Sequence, residues 1–294
     1  MRQQVTRATA AVALERRRPV PAFVVAGVRT TRRHWGIVAA LAFTLAVHAP
    51  TLRYFFNGDD FVVLGNIEWS GSREFLIDTF RLEDYVPSWR PLSALVYTAE
   101  WRLFGLNATP WRALALALHL GSMTLLYTLL TRTVGKPAVA AAAALIFGVS
   151  GAHYDTVTYI TAFPHVLETF LVLASLLLIV MYTQDGERSI ITFSCSFVLF
   201  MLAFLANESA FTYAPMLVAT YALFSARWSP LRPIRLLLHA APFIALAGGW
   251  LVFYERSANE ATVPLESTHR QHWWKLHVSI RALRLQFRRF QRLS

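Results

Sequence analysis

Long apolar runs alternate with short polar ones along the chain, and the runs are too continuous to be the one-sided stripes of soluble helices. About 20 apolar residues in a helix cross roughly 30 Å of hydrocarbon. Stretches near that length recur at roughly 35–52, 110–131, 137–152, 164–182, 189–206, 209–226 and 234–254. They predict an all-α integral membrane protein with about seven transmembrane helices. The first and third runs are the short ones.

The stretch between the first two runs, roughly 53–109, is too long for a turn and has helical patterns of its own. Ser72 can cap a short helix bearing Phe75, Leu76, Thr79 and Phe80 on one side. A second helix begins at Pro91, carries Leu92, Leu95, Val96, Ala99 and Leu103 at helical spacing, and can end at Gly105. Its Glu100 and Arg102 predict a helix lying on the membrane surface rather than a span.

Charge supplies an orientation. Eight arginines precede the first run against a single acid, Glu15, which places the N-terminus in the cytoplasm by the positive-inside rule. Arg132, Lys136, Arg188 and the Arg227, Arg232, Arg235 cluster then fall on the same side. The rival reading is a signal peptide cleaved after Val47-His48-Ala49, but the basic leader is long for that. The predicted organisation is a basic cytoplasmic leader over 1–34, a polytopic membrane domain over 35–255 with its outer loop at 53–109, and a basic amphipathic tail over 256–294. That tail interleaves Arg281, Arg284 and Arg288 with Leu283, Leu285 and Phe287. It reads either as an interfacial helix or as a chain ending before a further span.

Composition agrees: 55% of the 294 residues are hydrophobic and 15% charged, against roughly 25% charged in an average soluble domain. The net charge of +11 resides largely in leader and tail, so it is read as orientation and not as a nucleic-acid surface. The single cysteine, Cys195, excludes an intrachain disulfide and is expected to be a small packing residue in the fifth run. The sequence shows no repeat of fixed period, no glycine-rich phosphate loop and no paired Cys/His metal pattern.

The outer face collects the candidate chemistry. Asn57-Gly58-Asp59-Asp60-Phe61 sets two carboxylates side by side, where repulsion raises one pKa as a general base requires, or where both bind a divalent cation. A solvated Asn-Gly-Asp turn is the simpler alternative. Arg90 can hold a phosphate bidentately at the membrane rim, or with Trp89 merely anchor the chain there. His119 lies within the second span, facing either a cavity or a neighbouring helix. The second outer turn holds His153 and Asp155, and the fourth span then brings His165 and Glu168 onto one helical face. A polar cavity lined by His119, His153, His165 and Glu168 is one reading, and plain structural pairing is the other. Asn207-Glu208-Ser209 adds a further carboxylate, so Asp60, Asp155 and Glu208 are the candidate metal ligands if a metal binds at all.

Taken in order, Asn57-Gly58-Asp59-Asp60-Phe61, Trp89-Arg90-Pro91-Leu92, Phe104-Gly105-Leu106-Asn107, Leu118-His119, Phe147-Gly148-Val149 and Asn207-Glu208-Ser209 resemble the polytopic glycosyltransferases of the GT-C type, above all protein O-mannosyltransferases and their bacterial relatives. The resemblance spans about residues 36 to 225. It implies transfer of a sugar from a polyprenyl-phosphate carrier to an acceptor hydroxyl on the non-cytoplasmic face of a bacterial inner (plasma) membrane. Asp59 or Asp60 would be the catalytic acid nearest the acceptor, and Arg90 the group binding the donor phosphate. Family members continue through several more spans, so the resemblance also implies a truncated copy. The alternatives are a lipid-binding or transport subunit without bond chemistry and a non-catalytic truncated remnant.

Overall fold

A computed structural model of the chain describes residues 34–81, 89–151, 158–225 and 232–260, and every regular element among the described residues is helical. In chain order these are α1 (Trp35–His48), α2 (Asp60–Ser70), α3 (Ser72–Arg81), α4 (Pro91–Phe104), α5 (Ala108–Val134), α6 (Pro137–Val149), α7 (Phe163–Gln184), α8 (Ile190–Ala206), α9 (Ala214–Phe224) and α10 (Arg232–Glu260). Tight 3-10 turns at Ala49–Arg53, Ile160–Ala162 and Glu208–Tyr213 extend α1 and introduce α7 and α9.

Among the described residues the predicted apolar runs fall on helical backbone, the sixth divided between the 3-10 turn Glu208–Tyr213 and the 11-residue α9. Four helical stretches among the described residues are long and apolar enough to cross a membrane: Trp35–Arg53, Ala108–Val134, Ile160–Gln184 and Ile234–Val252. Helices α6 and α8 are apolar but have 13 and 17 residues, which at 1.5 Å per residue gives about 20 and 26 Å.

Local chemistry sets the ends of these helices. Asn107 caps α5 by accepting from the Thr109 amide at 3.3 Å. At the other end Gly135 turns left-handed at φ 73°, which a side chain would resist, and its amide closes on the Thr131 carbonyl. Pro137, which lacks the amide a helix start leaves idle, then opens α6 only two residues later.

Packing divides into three regions. Leu171, Leu176, Ile179, Phe200, Phe204, Leu217 and Phe243 form a core among α7, α8, α9 and α10. Within it Ser175 and Ser196 donate to each other's carbonyls at 2.9 Å, a polar clasp between two apolar helices. Ile37, Ala40, Met123, Tyr127, Ala140 and Ala144 join α1, α5 and α6. Small residues let α1 and α6 approach closely there, and a Cβ added to Gly36 would lie 3.0 Å from that of Ala141. Phe56, Leu64, Ile67, Tyr97, Trp111, Ile160 and Phe163 seat α2 and α4 against α5 and α7.

Three expectations change. Helix α4 turns Ser93, Ala94, Tyr97, Thr98 and Glu100 inward and leaves Leu95 and Leu103 exposed, so Glu100 is a buried group and not a surface one. Helix spacing alone could not tell which stripe meets protein when the other can meet lipid. In α3 the Phe75 amide bonds the Gly71 carbonyl, so the helix opens on Gly71, and Phe80 is exposed while Thr79 is buried. Cys195 is exposed on α8, where an apolar thiol can face hydrocarbon as readily as a core.

Candidate functional site

The fold separates the acidic pair. Asp59 stands at the N-cap of α2, is exposed, and makes no capping hydrogen bond. Asp60, the next residue, is fully buried. Its Oδ2 accepts from the Asn57 amide at 3.2 Å and its Oδ1 from the Thr161 amide at 3.1 Å, so one carboxylate ties the loop before α2 to the turn before α7. Burial pushes its carboxyl above the usual range, and the backbone donors and the Arg112 charge pull it part of the way back.

Arg112 is the partner that sequence reasoning missed. It sits one turn into α5, fully buried, with Nη2 3.9 Å from Asp60 Oδ2. Its Nε and Nη2 also donate to the Tyr54 and Phe55 carbonyls at 3.0 and 2.7 Å. An arginine at the end of an apolar run requires a buried acceptor or exit to water, and that was the available signal.

Arg90 and Glu208 form a two-pronged ion pair, Nε to Oε2 at 2.8 Å and Nη2 to Oε1 at 2.7 Å. Both side chains are about one-quarter exposed, so the pair sits at a rim. Burial opposes the Arg90 charge, but Glu208 outweighs it and holds the guanidinium above its ordinary value. Ser93 at the start of α4 caps the end of α8 by donating to the Ala206 carbonyl at 2.8 Å, which fixes Arg90 beside the Asn207-Glu208 corner.

Directly after Glu208 the chain enters a polar cavity of about 230 Å³. Helix α5 contributes His119 and Ser122 to its lining, α6 contributes Phe147, and α7 contributes His165, Glu168 and Thr169. Ser209 and Tyr213 close it from the turn before α9. Glu168 is its hub: Asn207 Nδ2 donates to Oε2 at 2.8 Å, and Ser209 Oγ lies 2.9 and 2.8 Å from the two oxygens. Asn207 Nδ2 also lies 2.6 Å from His165 Nδ1, and that ring nitrogen is 3.7 Å from Glu168. With Asn207 donating, the His165 proton rests on Nε2.

His119 belongs to the cavity wall and to the scaffold at once. Its Nε2 and that of His48 both reach the Gly148 carbonyl, at 3.0 and 3.1 Å. A carbonyl can only accept, so both rings donate, and they satisfy an acceptor that the short helix α6 leaves open at its end.

The structure thus gathers Asp59, Asp60, Arg90, Glu208, His165 and Glu168 at one end of the bundle. Tyr97 lies within electrostatic reach of both Arg90 and Asp60, and Arg90 within reach of Glu168. His153 and Asp155 lie outside the described residues. Among the described residues no three His, Cys, Asp or Glu side chains are grouped to hold a metal ion. The Asp60 carboxylate is filled by backbone donors and that of Glu208 by Arg90, so neither fits a ligand set.

Comparison with protein-family models, with curated proteins and with solved structures returned no match to this chain.

Proposed function

We propose that this chain is a membrane-embedded glycosyltransferase that moves a sugar from a polyprenyl-phosphate carrier to an acceptor hydroxyl on the non-cytoplasmic face. The carrying observation is the assembly, at one end of the bundle, of an exposed carboxylate on a buried anchor, a rim arginine and a polar cavity. In this reading the seven apolar helices all belong to the membrane domain, with the N-terminus in the cytoplasm of a bacterial inner membrane and the loop 53–109 outside.

Asp59 takes the proton of the acceptor hydroxyl, and the acceptor oxygen bonds the anomeric carbon as the bond from that carbon to the phosphate oxygen breaks. The carrier leaves as polyprenyl phosphate, its charge met by Arg90 as the phosphate displaces Glu208 from the guanidinium fork. Asp60 holds the loop that aims Asp59.

The test is Asp59→Asn with Asp60 left intact. In purified membranes the variant keeps wild-type expression and loses transfer from a labelled polyprenyl-phosphate sugar by about 100-fold or more, the scale of general-base catalysis. Transfer at the wild-type rate overturns the assignment.

The second reading, a lipid-binding or transport subunit, draws support from α6. A short apolar helix whose Gly148 carbonyl near its end is met by two histidines resembles the interrupted helices that line transport sites. It expects carrier binding without any sugar-transfer product.

A further inference from the structure

Helix α4 carries Arg90 at its N-cap and, two turns on, a tyrosine that reaches the other half of the proposed site. Tyr97 is 6% exposed, and its hydroxyl donates to the Ile160 carbonyl at 2.8 Å. That carbonyl belongs to the Ile160–Ala162 turn, in which Asp60 holds the Thr161 amide at 3.1 Å. We infer that Tyr97 is a positioning residue whose hydroxyl fixes the distance between Asp59 and Arg90. The inference rests on the transferase reading above.

The two halves of the site are built on different helices. Arg112 and Asp60 tie the loop that carries Asp59 to α5 and to the turn before α7. The Ser93 bond to the Ala206 carbonyl ties Arg90 to α8 instead. The Tyr97 hydroxyl joins the halves: from Asp59 the route runs through Asp60, Thr161, Ile160 and Tyr97, then back along about 10 Å of α4 to Arg90. The ring is held without the hydroxyl, since it stacks on Trp111 at 6.2 Å and leans on Phe163 at 5.8 Å. Apolar contact has no direction, whereas a hydrogen bond fixes a distance and an angle. Nor does the Ile160 carbonyl need Tyr97 to be satisfied, because the Phe163 amide already donates to it. What the hydroxyl adds is the registration of the turn that Asp60 grips on the helix of Arg90. Proton removal by Asp59 and departure of the phosphate on Arg90 belong to one exchange of bonds, so their spacing bears directly on its rate.

The experiment uses membranes holding the full chain, with labelled polyprenyl-phosphate mannose and polyprenyl-phosphate glucose as donors. Tyr97→Phe is expected to lower kcat per folded chain about tenfold and to leave the donor KM within about twofold, because Arg90 still binds phosphate while Asp59 is no longer held in line with it. A tyrosine that served stability alone would reduce the amount of folded chain and leave both constants unchanged. The second measurement is independent of activity. Spin labels on Trp69→Cys of α2 and Leu103→Cys of α4, both exposed positions, in a Cys195→Ala background should give a distance distribution that Tyr97→Phe broadens. An unchanged kcat or an unchanged distribution overturns the positioning role and leaves the transferase reading standing on Asp59. No transfer from either donor by the wild-type chain overturns both.

Discussion

Asp59 and Asp60 are chemically identical neighbours with different surroundings, and the difference follows from one helix start. The first turn of α2 points consecutive side chains about 100° apart, so one carboxylate faces out and the next faces Thr161 and Arg112. Glu100 shows the same dependence on placement with a sharper consequence. It is 5% exposed, its Oε1 has no hydrogen-bond partner among the described residues, and burial pushes its carboxyl up to about 7 from 4.5. The folded chain therefore keeps this proton to higher pH than the unfolded chain does. Its contribution to stability is complete below about 4.5 and is lost as pH rises to about 7, on the order of 3 kcal/mol in all. Thermal unfolding in detergent across that window, wild type against Glu100→Gln, should show wild type losing ground as pH rises. A difference that stays flat would remove the buried-acid account.

Among the elements, the junction of α1, α5 and α6 depends on an absent side chain. A Cβ on Gly148 would lie 2.5 Å from Met123 Sδ and 2.6 Å from Thr44 Oγ1, all inside a packed layer. Gly148→Ala should lower stability by about 1–3 kcal/mol as the three helices separate. It should also disturb the carbonyl on which His48 and His119 converge. The melting temperature of the purified variant is the measure, and an unchanged value would show that the layer has slack. Helix α4 carries a parallel lesson: Leu95 and Leu103 face away from the protein, while Ser93, Thr98 and Glu100 turn inward beside Ala94 and Tyr97.

For the molecule as a whole, the proposed orientation can be read by labelling. In a Cys195→Ala background, Arg73→Cys should react with a membrane-impermeant maleimide in intact cells, and Lys136→Cys only after the membrane is opened. The opposite pattern would place Asp59, Arg90 and the cavity on the cytoplasmic side and remove the lipid-linked donor from reach. Gathering these groups at one end joins residues more than a hundred positions apart, as in the Arg90–Glu208 pair.

What the sequence determined by itself is what depends on local chemistry. Apolar run length placed the helices, Pro91 marked a helix start and Gly105 its end, and the i, i+3 spacing put His165 and Glu168 on one face. Only the tertiary structure decided which polar group meets which. Arg112 belongs with Asp60, Glu208 occupies Arg90, Asn207 and Ser209 serve Glu168, and Glu100 is inside. The physical reason is that a buried polar atom must find a partner wherever the fold brings one, and in a helical membrane domain that partner lies on another helix, at a sequence distance no local pattern encodes.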